Sequence, residues 1–248
     1  MARNLQVGDT IYVPRSKIGL PQKSSSFYRT KVKEVIKRSV RIVLPGGDET
    51  TKIGVSEVRR NIGILLIKAG DFKTEKMLLN PLTKSLLQYF RLLLQDDMVL
   101  SKEVRSLREV EIIWKNVGKL YTHFVIVGHG SKNGIKFGLS DLKSASDIAK
   151  IFDESDTNVS SFVSLCCDTG YASFGKKLSQ SQSCANVIAP FHSVHGAVAS
   201  QFCQTFFSYH LLEGETQRVA FKHSRDTVPG STSFRLWQRG EMTAGPST

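Results

Sequence analysis

The stretch THFVIVGHG, Thr122–Gly130, decides the fold, because it is a nearly continuous apolar run that ends in a His-Gly pair. An apolar run without polar alternation predicts a strand buried on both faces, as in parallel sheets covered by helices. Three further runs have the same character: IGILLIKAG at Ile62–Gly70, NVSSFVSLCC at Asn158–Cys167 and NVIAPF at Asn186–Phe191. These four runs are predicted strands of one sheet.

Amphipathic segments separate the predicted strands. Apolar residues recur at helical spacing in residues 81–96, 106–120, 144–154 and about 197–212. Ser144 is a predicted N-cap, because Asp147 follows three residues later and completes a capping-box-like pair. Strands that alternate with helices predict an α/β domain over residues 61–240, with a mostly parallel sheet flanked by helices. Residues 241–248, EMTAGPST, are predicted to be a disordered tail.

Residues 1–60 follow another pattern. YRTKVKEVI and SVRIVLP alternate charged and apolar residues, as half-buried strands do, and PGGDE is a hairpin signal before TTKIGV. This succession of short strands and turns resembles a small SH3-like β-barrel. The region holds 13 Lys and Arg against 5 Asp and Glu, a net charge of +8 out of +12 for the chain. Such asymmetry predicts an acidic partner, either nucleic acid, an acidic protein face or a membrane surface; a solvated basic surface is the equally weighted alternative.

The composition bounds the remaining classes. The 248 residues are 40% hydrophobic and 23% charged, which is ordinary for a globular protein. No stretch reaches the roughly 18 apolar residues of a membrane span, and MARNLQVGDT lacks the apolar core of a secretory signal. We therefore expect a cytoplasmic protein without a membrane partner. In a reducing compartment the four cysteines are expected to be thiols.

The reactive residue types stand at the ends of two predicted strands. One strand ends in VGHG, with His129, and the next ends in SLCCDTG, with Cys167. Because the carboxyl ends of parallel strands gather at one edge of a sheet, a thiol and an imidazole would meet there. This arrangement predicts a Cys–His nucleophile pair. The backbone N–H groups of Gly130 and Cys167 would hold a developing oxyanion.

These motifs, in this order, resemble the caspase-like cysteine proteases, and most closely the CHAT branch. The matching elements are VIVGHG, SLCCDTG, IAPFHSV and QTFFSYHLLEG, across residues 62–226. The resemblance implies that Cys167 is the nucleophile, that Cys166 takes the place of an alanine, and that His129 is the base. His192 stands where the family often carries Trp. Leu165 stands where metacaspases carry an Asp two residues before the nucleophile, which removes the usual reason to expect cleavage after Arg or Lys.

Residues around the nucleophile form the expected surroundings of the substrate. Asp168, Cys166 and His192 are the candidates for the substrate pocket, and Asp168 is alternatively a helix cap. His195 is the rival to His129 as base.

Metal binding is the less favoured reading of two other groups. The spacing of Cys184, His192, His195 and Cys203 does not match a zinc-finger pattern. The acidic loop FDESDTN, with Asp153, Glu154 and Asp156, reads as solvated rather than as a calcium site. We therefore expect no metal and no cofactor.

The sequence thus predicts a cysteine endopeptidase that cleaves a protein partner. By resemblance, an activating or sensing partner would switch it on within an intracellular system such as bacterial defence. Two alternatives stay open: an inactive caspase-like adaptor, and a nucleic-acid or protein-binding module that uses the basic residues 1–60.

Overall fold

A computed structural model describes residues 5–21, 27–47, 50–139, 141–155 and 157–246. The strands are β1 Thr10–Pro14, β2 Phe27–Ile36, β3 Ser39–Val43, β4 Thr50–Gly54, β5 Ile64–Ala69, β6 Val99–Val104, β7 His123–Val127, β8 His129–Ser131, β9 Gly134–Phe137, β10 Asp141–Lys143, β11 Ser161–Ser164, β12 Asn186–Pro190, β13 Phe234–Gln238 and β14 Glu241–Ala244. The α-helices are α1 Asn80–Leu93, α2 Leu107–Val117, α3 Ala145–Asp153, α4 Lys177–Ser179, α5 Gly196–Phe207 and α6 Gln217–Thr227. Wider π-helical turns at Glu75–Leu79, Ala172–Lys176 and Ser208–Leu212 extend α1, α4 and α5.

The centre of the protein is a seven-stranded sheet with the order β14-β13-β12-β11-β7-β5-β6. Five strands of this sheet run parallel to one another, namely β6, β5, β7, β11 and β12, and β13 and β14 add an antiparallel edge. The four strands predicted from apolar runs are the central ones, β5, β7, β11 and β12. All residues of β5, β7 and β11 are buried. The prediction of a mostly parallel sheet flanked by helices is therefore confirmed.

Helices cover both faces of this sheet and form two cores. On one face, α1, α5 and α6 pack over a core that includes Leu82, Leu86 and Phe90 of α1. On the other face, α2 and α3 pack over a core around Trp114 and Phe152. The buried residues of α1 recur three or four positions apart, as the sequence predicted.

The N-terminal strands form their own four-stranded antiparallel sheet, with the order β1-β2-β3-β4. Its buried core consists of Ile11, Val13, Val32, Val40, Ile42 and Ile53. Phe27 and Tyr12 instead pack against the core of the large sheet, and Tyr12 exchanges two backbone hydrogen bonds with Arg59. The N-terminal sheet is thus attached to the α/β part. The SH3-like closure into a barrel stays a prediction.

The C-terminal residues correct one prediction. Glu241–Ala244, expected within a disordered tail, form β14 and pair with β13. Arg239 and Gly240 both have positive φ, at 51° and 85°. Two such residues between paired strands make the tight hairpin turn whose twist matches that of the strands. The sequence argument treated 241–248 as a free end and missed this turn.

None of the helices in the described ranges combines the length and the apolar character that a membrane crossing requires.

Candidate active site

The candidate site lies where β5, β7 and β11 end side by side. Ser164 of β11 pairs with Ile126 of β7, and the Leu165 N–H extends this ladder by donating to the Ile126 carbonyl. The chain then leaves the sheet at Gly128, where a Cβ would lie 3.1 Å from the Ala69 side chain at the end of β5. His129 consequently begins β8, a strand of a separate small sheet, rather than continuing β7.

The loop after β11 holds Cys167 through a set of internal hydrogen bonds. Thr169 Oγ1 donates to the Cys166 carbonyl at 2.7 Å and lies 2.8 Å from Ser164 Oγ. The Gly170 N–H donates to the Pro190 carbonyl at the end of β12, at 2.7 Å. These bonds tie the loop to two strands and fix the backbone on either side of Cys167.

Asp168 follows Cys167 in the left-handed region of backbone space. Its φ of 61° is unusual for a residue other than glycine, although aspartate tolerates this conformation better than most. Asp168 is partly exposed. It belongs to the turn that carries Cys167, which agrees with a position beside the reactive thiol.

The adjacent cysteines lie in opposite environments. Cys166 is fully buried in the core beneath α2 and α3, and burial raises the pKa of its thiol to about 12. Cys167 is partly exposed. Because the Cys166 side chain is enclosed in the core, the prediction that it borders the substrate pocket is wrong. Only Cys167 has the exposure that a nucleophile needs.

His129 is held by two residues from the loop after β5. Its Nε2 lies 2.6 Å from Thr74 Oγ1 and 3.2 Å from Asp71 Oδ2. The Thr74 hydroxyl is 3.1 Å from both Asp71 oxygens. A carboxylate only accepts hydrogen bonds, so Thr74 donates to Asp71 and accepts from His129 Nε2–H. This chain of hydrogen bonds places the proton of neutral His129 on Nε2 and leaves Nδ1 as the basic nitrogen.

Asp71 is buried yet favours its charged form. Burial alone would raise the pKa of its carboxyl. The N–H and hydroxyl of Thr74, the neighbouring His129 and the N–H of Lys73 outweigh burial, and the net effect lowers the pKa. An ionised carboxylate therefore stands behind the imidazole. The sequence analysis missed Asp71, although it follows the buried strand run of β5 directly, at the same sheet edge as His129.

The two predicted partners meet through backbone contacts. A Cβ on Gly130 would lie 2.7 Å from the Cys167 carbonyl oxygen and 2.8 Å from Thr169 Cγ2, so only glycine fits at this approach. Within the described part of the chain, the Cys167 thiol forms no hydrogen bond with His129, and its N–H has no acceptor. Catalytic hydrogen bonds are often long before substrate binds.

The other two predicted histidines lie on the segment between β12 and α5. His192 is exposed, and its ring packs 4.4 Å from that of Phe191. His195 is the N-cap of α5, where its Nδ1 accepts from the Ala197 N–H at 3.2 Å. The Nδ1 of His195 is therefore occupied as a hydrogen-bond acceptor at the start of α5, whereas the ring of His129 is held by the Asp71 carboxylate.

The two groups weighed as metal sites do not assemble in the described ranges. Cys184 lies in the core on one face of the sheet and Cys203 in the core on the other face. Asp153 accepts from the Ser181 hydroxyl and the Ser183 N–H, while Asp156 lies outside the described residues. Among the residues described, no three His, Cys, Asp or Glu side chains are grouped to hold a metal ion.

Comparisons with known proteins identify the fold. No protein-family model and no curated protein matches the sequence. The chain is similar to a secreted C11 cysteine protease from Bacteroides thetaiotaomicron, iotapain, with a TM-score of 0.52 and 9% identity over 72% of this chain and 67% of that one. It is also similar to an inactive zymogen C11 protease from Parabacteroides distasonis, with a TM-score of 0.50 and 10% identity. That match covers 71% of this chain and 61% of the zymogen, which is less than two thirds of its length.

These likenesses show that the chain has the caspase-like α/β fold of C11 cysteine proteases, which confirms the predicted fold class. A fold shared at about 10% identity does not by itself carry an activity, so function has to be argued from the site.

Proposed function

We propose that this protein is a cysteine endopeptidase in which Cys167 is the nucleophile and His129 is the base. One observation carries the proposal: the hydrogen-bonded chain from Asp71 through Thr74 to His129, next to a partly exposed Cys167. Burying a carboxylate costs free energy. Here Asp71 directs that charge at an imidazole whose neighbour Gly130 packs against the Cys167 backbone, which a binding adaptor does not require.

The proposed reaction uses only groups of this chain. His129 Nδ1 takes the thiol proton, and the Cys167 sulfur attacks the carbonyl carbon of a peptide bond. The N–H groups of Gly130 and Cys167 stabilise the oxyanion. His129 then gives its proton to the leaving amine, and a water molecule hydrolyses the thioester. Throughout, Asp71 and Thr74 keep the imidazole oriented and stabilise its charged form.

The residue pattern further favours a CHAT-type peptidase that a separate protein switches on. The lack of a hydrogen bond between the Cys167 thiol and His129 in the described ranges is in keeping with a site that a partner or substrate completes. We place this activity in the cytoplasm, in an intracellular system such as bacterial defence.

The basic N-terminal sheet is the proposed docking module for an acidic protein partner, with nucleic acid as the alternative. Arg29, Lys31 and Lys33 alternate along β2 with exposed side chains. Arg29 and Lys31 share a face because they are alternate residues of the strand, and Lys33 is exposed at a register shift between Val32 and Glu34. Changing all three to Glu should weaken partner capture in a pull-down with folding unchanged. Retention of the partner would place docking elsewhere, and loss of bound nucleic acid alone would favour the alternative.

The peptidase proposal is tested with a small thiol reagent and a panel of variants. Iodoacetamide should alkylate Cys167 selectively, and intact-mass and peptide analysis would locate the adduct. Cys167→Ala should abolish alkylation and proteolysis, whereas Cys166→Ala serves as the matched control because that thiol is buried. His129→Ala should slow alkylation and cost ~10²–10⁴ in turnover. Equal reactivity of the His129→Ala protein would favour the inactive adaptor.

A further inference from the structure

A cleft of about 330 Å³ opens between two helices at the edge of the sheet where the candidate site lies. One wall is the π-helical turn and the start of α1, with Met77, Leu78 and Leu82, and the opposite wall is the start of α5, with Ala197. Met77 is 84% exposed and Leu78 is 38% exposed. Apolar side chains thus face solvent on the walls of a concavity, which is where a ligand gains most from burial.

The cleft lies on the same face of the sheet as Leu165, two residues before Cys167. Leu165 belongs to the core formed with α1 and α5, whereas Cys166 belongs to the core on the opposite face. Leu165 therefore marks the face of the sheet on which α1 and α5 lie. The cleft between α1 and α5 opens on that face.

The same turn holds the base and forms a wall of the cleft. Thr74 accepts the Leu78 N–H with its carbonyl at 2.9 Å, while its hydroxyl contacts His129 Nε2. Across the cleft, a Cβ on Gly196 would lie 2.9 Å from Leu78 Cδ1, so the start of α5 comes close to this turn. A substrate side chain that enters the cleft therefore lies beside the turn that holds His129.

The lining of the cleft excludes a charged occupant. Its floor is formed by Ser85 and Ser200, whose hydroxyls lie 3.0 Å apart and both accept from the Gln204 side chain. In the described ranges the cleft is lined by no Asp, Glu, Lys or Arg, and the Nδ1 of its histidine, His195, already accepts from the Ala197 N–H. Asp71, the buried acid nearby, is already committed to Thr74 and His129. A charged side chain would lose hydration there without gaining a partner, whereas an apolar one gains from leaving water.

We propose that this cleft receives the side chain of the substrate residue whose carbonyl Cys167 attacks, and that it selects a neutral, apolar side chain such as leucine, methionine or phenylalanine. The inference rests on the proposed peptidase function. Leu165 agrees with this preference, because an apolar residue stands two positions before the nucleophile, where a carboxylate would have favoured Arg or Lys.

The test compares peptidyl acyloxymethyl ketones that differ only in the side chain next to the reactive carbonyl: Leu, Met, Lys or Asp. The full-length protein should be labelled at Cys167 at least tenfold faster by the Leu and Met reagents. Leu78→Trp, which fills the cleft, should remove this preference. Leu92→Trp is the matched control, because Leu92 lies on α1 with its side chain 82% exposed. Ser200→Asp, which adds a carboxylate to the floor, should raise relative labelling by the Lys reagent.

Iodoacetamide carries no peptide side chain, so it tests the reactivity of Cys167 separately from the side-chain preference of the cleft. If iodoacetamide alkylates Cys167 but the Lys or Asp reagent labels as fast as the Leu reagent, the inference is overturned and the proposed function stands. The same holds if Leu78→Trp and Leu92→Trp behave alike. If neither iodoacetamide nor any peptide reagent modifies Cys167 selectively, the proposed function fails and the inference fails with it.

Discussion

At the scale of single residues, the neighbouring thiols Cys166 and Cys167 differ in how far each is exposed to solvent. Cys166 is enclosed among apolar groups, and burial raises the pKa of its thiol to about 12, so it stays protonated at neutral pH. Cys167 is partly exposed. A thiolate is the reactive form of cysteine, which supports the proposal that Cys167 is the nucleophile.

Exchange of the two cysteines for alanine should therefore have unequal effects. Cys167→Ala should abolish proteolysis while the melting temperature stays close to that of the parent. Cys166→Ala should retain proteolysis and lower stability by about 1 kcal/mol, because it removes a buried sulfur from a packed core. Proteolysis and thermal melts of both variants check this. Loss of activity in Cys166→Ala alone, with an intact fold, would reverse the assignment.

Asp71 is a positioning residue whose charge should matter more than its shape. In Asp71→Asn the side chain keeps its size but no longer stabilises the charged imidazole, so kcat/KM should fall by about tenfold or more. The loss should fall on kcat rather than on KM, because the change acts on the base and not on substrate binding. A merely structural role would lower the melting temperature together with activity.

Asp147→Asn is the matched control for Asp71→Asn. Asp147 accepts hydrogen bonds from the N–H and hydroxyl of Ser144 at the start of α3. Asp147→Asn therefore weakens local hydrogen bonds, as Asp71→Asn does, but none of those that hold His129. For Asp147→Asn we expect a modest loss of stability and an unchanged kcat. An equal fall in kcat for both variants would show that Asp71 has no catalytic role.

At the scale of secondary-structure elements, the degree of burial explains why the sequence predicts the central strands of the large sheet but not its edge strands. β5, β7 and β11 are buried throughout, and continuous burial appears in the sequence as continuous apolar character. The outer strand β6 carries exposed Lys102 and Glu103. Its pattern therefore gives a weak signal.

The same physical limit explains what was missed in the site. His129 and Cys167 could be predicted because each follows an apolar run and neighbouring parallel strands end together. Asp71 also follows such a run, but its link to His129 depends on the turn through Thr74, across 55 residues of sequence. Local pattern does not report a contact of that range.

The segment between β11 and β12 should stay uncut in the active protein. It forms the π-helical turn Ala172–Lys176 and α4, and it buries Phe174 and Leu178 completely. The Ser179 hydroxyl accepts the Gly240 N–H at 3.0 Å, which ties α4 to the C-terminal hairpin. Cleavage here would first require this packing to open, so the segment is a poor site for activation by cutting.

Intact-mass analysis of active protein should therefore show a single full-length chain. A double variant, Lys176→Ala with Lys177→Ala, removes the exposed basic pair of this segment and should keep the parent's activity. A stoichiometric cut within the segment that precedes turnover, or loss of activity in the double variant with its fold intact, would show that the protein matures by cleavage.

At the scale of the whole molecule, a buried histidine pair lies where the N-terminal sheet joins the α/β part. His123 begins β7 and His210 lies in the π-helical turn after α5; their rings are perpendicular, with centroids 5.4 Å apart. Burial lowers the pKa of His210 to about 4, against a weaker opposing effect of the Glu215 carbonyl that accepts from its ring. Burial, then His210 and then Arg59 lower the pKa of His123. Arg59 is the residue that pairs with Tyr12 of β1.

Mild acid should therefore lower the free energy of unfolding of the whole protein. Both histidines have lower pKa values in the folded than in the unfolded state, where a value near 6.5 applies, so the unfolded state binds more protons as pH falls below about 6.5. Stability is complete above that pH and decreases toward pH 4. For His210 alone the shift corresponds to about 3 kcal/mol. His210→Phe keeps a ring stacked on Phe206 and removes this titration.

The measurement is the melting temperature between about pH 7 and pH 5, above the range where carboxylates such as Asp71 titrate. The parent should lose melting temperature steadily across this window, and His210→Phe should lose markedly less, because one of the two acid-sensitive groups is gone. His192→Phe is the control, since His192 is an exposed histidine outside the buried pair, and this variant should follow the parent. Parallel curves for the parent and His210→Phe would mean that the buried pair does not govern acid stability.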